Sequence, residues 1–183
     1  MTVCAVLLAA GAARAGGGFD GPAIDRPVRV PDFALHDQTG RLIRLSRQRG
    51  NVVLLTFLYT HCRDMCPLTA ASLNAVLGLS GAHVTVLAVS VDPRGDTQAS
   101  VRRFVREHHL RPAFHYLRGS RAALQRVWKE YGVSTRLRLF GQTVESHTLY
   151  TLLVDRTGRD RVVFDSTASP RAIAHDVRLL LGR

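Results

Sequence analysis

Two apolar runs rich in β-formers, Asn51–Tyr59 and His83–Val91, limit what this chain can fold into. Neither alternates polar with apolar side chains, so each reads as a strand buried on both faces. Strands of that kind need a covering layer on either side of their sheet. Segments around them supply it. Pro67–Leu77 reads as a helix with Leu68, Ala71, Leu73, Val76 and Leu77 on its core side, and Gln98–His108 as a second helix capped by Asp96 or Thr97. Phe114–Leu117 is a short strand, and Ser120–Tyr131 a helix carrying Leu124, Val127, Trp128 and Tyr131. His147–Asp155 and Arg161–Asp165 form a hairpin about Arg156-Thr157-Gly158, and Ser169–Leu181 closes the chain as a helix. Upstream, Phe33–His36 and Leu42–Leu45 flank the turn Asp37-Gln38-Thr39-Gly40. The expected class is α/β, in one domain spanning residues 31–183.

The residues before that domain read differently. Val3–Ala13 is apolar but too short for an ordinary membrane-spanning helix, which needs about 20 residues. Ala13-Arg14-Ala15 has the small-x-small form that signal peptidase cuts, so residues 1–15 are expected to be a signal peptide. The protein is then exported, to the periplasm or the outer face of the inner membrane; a flexible tail on a cytosolic protein is the competing reading. Residues 16–30, rich in Gly and Pro, are expected to be a flexible linker. Cys4 leaves with the signal, and Cys62 and Cys66 remain as the only thiols.

These two stand as Cys62-x-x-x-Cys66, directly after the first apolar run and just before Pro67. On a helical turn, residues four apart share a face with Cβ atoms about 5–6 Å apart. Two sulfurs so placed can grip one soft metal ion or close a disulfide. Metal binding and thiol redox chemistry are both open on spacing alone.

Three blocks narrow the choice. Thr56–Pro67 resembles the metal-site signature of the Sco/SenC copper chaperones; Ser90–Thr97 is similar to their second block, and Ser146-His147-Thr148-x-Tyr150 to their third. The likeness runs from about Pro31 to the C-terminus. It implies a thioredoxin-like fold with an N-terminal β-hairpin extension and a helix–strand insertion. It also implies one copper ion, Cu(I) or Cu(II), held by Cys62, Cys66 and His147 and delivered to the dinuclear copper centre of cytochrome c oxidase during assembly. Two departures stand out: Arg63 where the family commonly has Pro, and Ser146 where it commonly has Asp. Neither removes a ligand.

Two thiolates and an imidazole form a soft three-donor set suited to copper, whereas a structural zinc site would want a fourth protein ligand. His61 is read as a neighbour that tunes the thiolate or faces solvent, and Met65 and Trp128 as packing residues. Asp92 and Asp96 are read as strand terminator and helix cap. The alternative function is a thiol–disulfide oxidoreductase or redox sensor using Cys62 and Cys66 as a redox disulfide. A peroxiredoxin-like peroxidase also suits the fold, but leaves the third block without a role.

The net charge of +11 raises the question of partners. Ten basic residues between Val101 and Arg138 face only Glu107 and Glu130, a local net of +8. Such a window suggests an anionic membrane surface or an acidic protein, against the plainer reading of solvated helix faces in an arginine-rich chain. No aromatic residues interleave with a tight basic run, so nucleic acid is not expected. The implied partners are the copper-bearing subunit of cytochrome c oxidase and other copper chaperones or thiol reductants.

Overall fold

Strands β3 (Val52–Leu58) and β4 (Val84–Ser90) are buried along their whole length and pair in parallel, from Val52 opposite Val84 to Leu58 opposite Ser90. They form the middle of a five-stranded sheet in the computed structural model, which describes residues 18–134, 137–139, 142–144 and 150–182. The proposed signal segment and His147 lie outside the described residues. The hairpin β1 (Ala34–His36)–β2 (Leu42–Arg44) precedes β3, and α1 (Met65–Ser80) connects β3 to β4. Next come α2 (Gln98–Glu107), β5 (Phe114–Leu117) and α3 (Arg121–Glu130), then the small hairpin β6 (Leu137–Leu139)–β7 (Gln142–Val144). Antiparallel β8 (Tyr150–Val154) and β9 (Asp160–Asp165) and helix α4 (Pro170–Leu181) complete the fold.

The strand order is β5-β4-β3-β8-β9. The layout is thioredoxin-like, with α2–β5 as the insertion and β1–β2 as the N-terminal extension. Alternate side chains of β3 enter two separate cores. Val52, Leu54 and Leu58 pack with α1, α2 and α4, while Val53, Leu55 and Phe57 pack with α3 and the β1–β2 hairpin. Strand periodicity of two divides one apolar run between two layers.

Both edges of the sheet are covered, which matters because an open edge invites pairing with other chains. At β5, His36 and Arg118 exchange backbone bonds of 2.9 and 2.7 Å. The Gln38 amide then stands in for a strand, donating to Phe114 O at 3.0 Å and accepting from Tyr116 N at 2.9 Å. At β9, Ala23 bridges Val162 and Arg29 bridges Arg159. The described part of the stretch expected as a linker is therefore a strap along β9. Its anchor is Asp176, fully buried in α4, which accepts from Asp20 N at 2.7 Å and Gly21 N at 2.9 Å. Gly21 also has to be glycine, since a Cβ there would meet the Phe164 ring at 2.3 Å.

Two other expectations are corrected. Helix α1 starts at Met65 and buries Cys66, Thr69, Ala70, Leu73, Val76 and Leu77, while Leu68 is 62% exposed and Ala71 is exposed. The helix has no charged residue and so no polar stripe to fix its phase; contact with α4 and the sheet fixes it instead. The β6–β7 hairpin was not expected, although Leu-Arg-Leu alternation at 137–139 followed by Gly141 is a legible hairpin signal.

Replacing Asp176 with Ala strands the strap's donors at their anchor. Unfolding free energy should fall by about 1–3 kcal/mol in urea titration, and residues 18–30 should become the first site of limited proteolysis.

Candidate metal centre

The chain leaves β3 at Leu58 and enters α1 at Met65, so the six residues between carry Cys62 over the end of the sheet. Asp64 stands at the N-cap position of α1, yet its side chain makes no capping bond. The first-turn N–H groups of any helix lack partners within it. Here Cys66 N–H donates to Cys62 Sγ at 3.3 Å, so a sulfur takes the place of a capping oxygen. Pro67 falls within the first turn, where its missing N–H costs no helical bond. The four-residue spacing thus puts Cys66 in the helix and folds Cys62 back onto its open N-terminus.

The two thiols are unequal. Cys62 is half-buried and Cys66 fully buried, and the two are thiols, not joined by a disulfide. Burial pushes the Cys62 thiol up, but bonds from the Asp64 and Cys66 backbone N–H groups, with the Cys66 thiol and Tyr59 hydroxyl, outweigh it and leave its pKa below the ordinary value. Burial dominates at Cys66, where proximity to Cys62 adds to it, and its thiol is held far above the ordinary range. In the metal-free protein Cys62 is therefore the more easily ionised and more accessible thiol, and Cys66 the buried one. The open side of Cys62 is a cleft of about 90 Å³ between the loop and α2, bordered by His61, Pro67, Arg103 and His108.

The loop is held by Asp96. Its carboxylate, 2% exposed, accepts from Thr60 N at 2.8 Å, Ser90 Oγ at 2.5 Å and Tyr116 Oη at 3.2 Å. One side chain thus joins the thiol loop to the ends of β4 and β5. Burial raises its pKa, and these bonds oppose the rise. Reading Asp96 as a helix cap missed this role; Thr97 is the cap, accepting from Ser100 N at 3.1 Å. The available signal was Ser90, a polar residue closing an otherwise apolar strand and needing a buried partner.

Asp92 turns the chain after β4, accepting from Arg94 N at 3.1 Å and Gly95 N at 2.9 Å. Its other oxygen lies 4.0 Å from His61 Nδ1. A Cβ at Gly95 would come within 2.1 Å of that oxygen and 2.8 Å of the imidazole, so glycine makes room for the pair. His61 is largely exposed, as expected. Trp128 is core, its indole N–H donating to Ser90 O at 3.0 Å. The structure brings Cys62 and Cys66 together; His147, the third expected ligand, is outside the described residues.

Residues 22–182 match the family model described as SCO1/SenC. A SCO2-like protein of Rickettsia conorii is 24% identical over 155 residues, covering 80% of this chain and 74% of the relative. The solved structure of apo Sco1 from Thermus thermophilus aligns with a TM-score of 0.74 at 30% identity, over 88% of this chain and 96% of that one. ScoI of Bradyrhizobium japonicum, solved with copper bound, gives 0.72 at 28% identity, over 84% and 99%.

Two measurements check the site. Alkylation of the reduced, metal-free protein should label Cys62 first, with half-maximal rate below the ordinary thiol range, and spare Cys66 until the protein unfolds; equal labelling would refute the inequality. Asp96→Ala removes the shared acceptor of three groups, so urea titration should show a loss of about 3 kcal/mol, and Cys66 should become reactive.

Proposed function

Because the chain belongs to the SCO1/SenC family, we propose that it is a copper metallochaperone acting in cytochrome c oxidase assembly. The observation that carries this reading is the sulfur pair itself: a half-buried Cys62 thiol folded onto a helix N-terminus, with the Cys66 sulfur beside it, just past the end of β3. Copper is the cargo. Cys62 and Cys66 supply two soft donors, and His147 is proposed as the third. Support for His147 comes from the start of β8: Tyr150, three residues on, packs its ring against Phe57, and its carbonyl accepts from Thr56 Oγ1 at 2.9 Å. The chain thus enters β8 beside the part of β3 that leads to Cys62.

Handing the ion to the copper-bearing subunit of the oxidase would proceed by ligand exchange. An incoming cysteine or histidine of the acceptor approaches Cys62 through the cleft beside α2 and displaces one donor at a time. Three protein ligands leave a coordination position for that approach. A Cys62–Cys66 disulfide offers no thiolates, so loading requires the reduced pair. The segment 1–15 is proposed as an export signal, which puts the exchange in the periplasm or at the outer face of the inner membrane.

A second reading is favoured by the inequality of the thiols. A half-buried Cys62 with a lowered pKa beside a fully buried Cys66 is also the arrangement of a thiol–disulfide oxidoreductase, acting on the acceptor's cysteines or as a redox sensor. Copper titration separates the two. The reduced protein should bind one equivalent with a thiolate-to-copper absorption band. Cys62→Ser, Cys66→Ser and His147→Ala should each weaken binding by more than the roughly 10–100-fold that loss of an outer-shell partner costs. Near-normal affinity in the His147 variant would remove it from the ligand set. Catalytic disulfide reduction by metal-free protein, without copper binding, would favour the second reading.

A further inference from the structure

The basic window between Val101 and Arg138 does not form one face. Arg102, Arg103 and Arg106 are on α2, whose Val101 and Phe104 join the core on one side of the sheet, whereas Arg121, Arg126 and Lys129 are on α3, whose Leu124 and Val127 join the core on the other. Arg118 is turned inward, donating to Asp96 O and Gln98 Oε1.

A contiguous cationic surface occurs elsewhere. Arg41, Arg44, Arg47 and Arg49 are exposed while Ile43 and Leu45 between them are buried, and the stretch holds no acidic residue. Arg41, Arg44 and Arg47 line one groove of about 580 Å³ together with Leu42, Gln48 and Asn51. Leu42, amid these guanidinium groups, is 53% exposed. Among the described residues, the carboxylate paired with this set is Asp32, 3.6 Å from Arg44 and also accepting from Ser46.

The groove lies at the end of the sheet where β3 begins, since Asn51 immediately precedes that strand. Gly50 and Arg156 exchange bonds of 2.9 and 3.0 Å there, bringing a further exposed arginine to the same end. Gly18 lies against Leu179 in the last turn of α4, and Leu179 borders one cavity with Gly50 and Arg156. Gly18, where the described residues begin, is therefore at this end of the sheet. Cys62 follows the opposite end of β3, about 23 Å away at some 3.3 Å per strand residue.

We propose that the Arg41–Arg44–Arg47 groove docks on a bilayer surface rich in anionic phospholipid headgroups, with the thiol end directed away from it. Guanidinium forks match phosphate oxygens in pairs. Leu42 adds an apolar side chain at the depth where headgroups meet acyl chains. That mixture of guanidinium groups around an exposed leucine favours a membrane over an acidic protein, which would reward charge alone. The inference does not depend on copper.

The test uses the full-length, metal-free protein in sedimentation with vesicles of phosphatidylcholine, with and without phosphatidylglycerol. An apolar N-terminal segment contributes equally to both, so the groove is read from the phosphatidylglycerol-dependent part. That part should fall about 100-fold in the R41Q/R44Q/R47Q variant, near fivefold per arginine. The R121Q/R126Q/K129Q variant removes the same charge from α3 and should keep most of it. Equal losses in the two variants would mean that net charge alone acts, and would overturn the proposal. So would binding that ignores phosphatidylglycerol, or a groove that binds polyglutamate but not vesicles.

Discussion

β3 is held on four sides: β4 on one edge, β8 on the other, and an apolar core against each face. A strand so enclosed has no direction in which to shift, because a slip of one residue would exchange the side chains of its two cores. The loop that leaves it inherits that fixed origin. Cys62 is four residues beyond Leu58, and the helix that follows is pinned by Cys66, Ala70 and Leu73 in the same core. The site is thus built next to a strand enclosed on every side, which suits a constellation that must hold donor positions.

Polar groups finish what the core begins. Asp96 collects donors from the thiol loop, β4 and β5, at the cost of a buried carboxylate that only those bonds make tolerable. The open N-terminus of α1 then acts on Cys62 and leaves Cys66 to its apolar surroundings. Two residues of one type, four apart, acquire opposite thiol character from local geometry. In the proposed copper transfer this division would let one sulfur meet the partner while the other retains the ion until exchange is complete.

The molecule is also polarised end to end. The thiols occupy the end where β3 finishes, and the Arg41–Arg49 surface the end where it starts. Composition announced many arginines but placed the densest window at 101–138, which α2 and α3 divide between opposite faces. Linear charge density and surface charge density diverge here because two helices flanking a sheet carry their exposed sides in opposite directions.

Much was legible in the residues. Unbroken apolar runs specified β3 and β4, since only a strand buried on both faces tolerates such a pattern. Thr97 announced the start of α2 through its hydroxyl, and the cysteine spacing announced two thiols on one turn. Other features were not readable. Helix α1 carries no polar stripe, so its phase, and with it the exposure of Leu68, depends on what packs against it. The strap at 18–30 looked like a linker because its order comes from Asp176 and β9, more than a hundred residues away. Sequence determined the elements and the reactive pair, because periodicity and residue chemistry are local; the inequality of the thiols, the Asp96 latch and the arginine groove were decided by tertiary structure, because each depends on groups that only the folded chain brings within bonding distance.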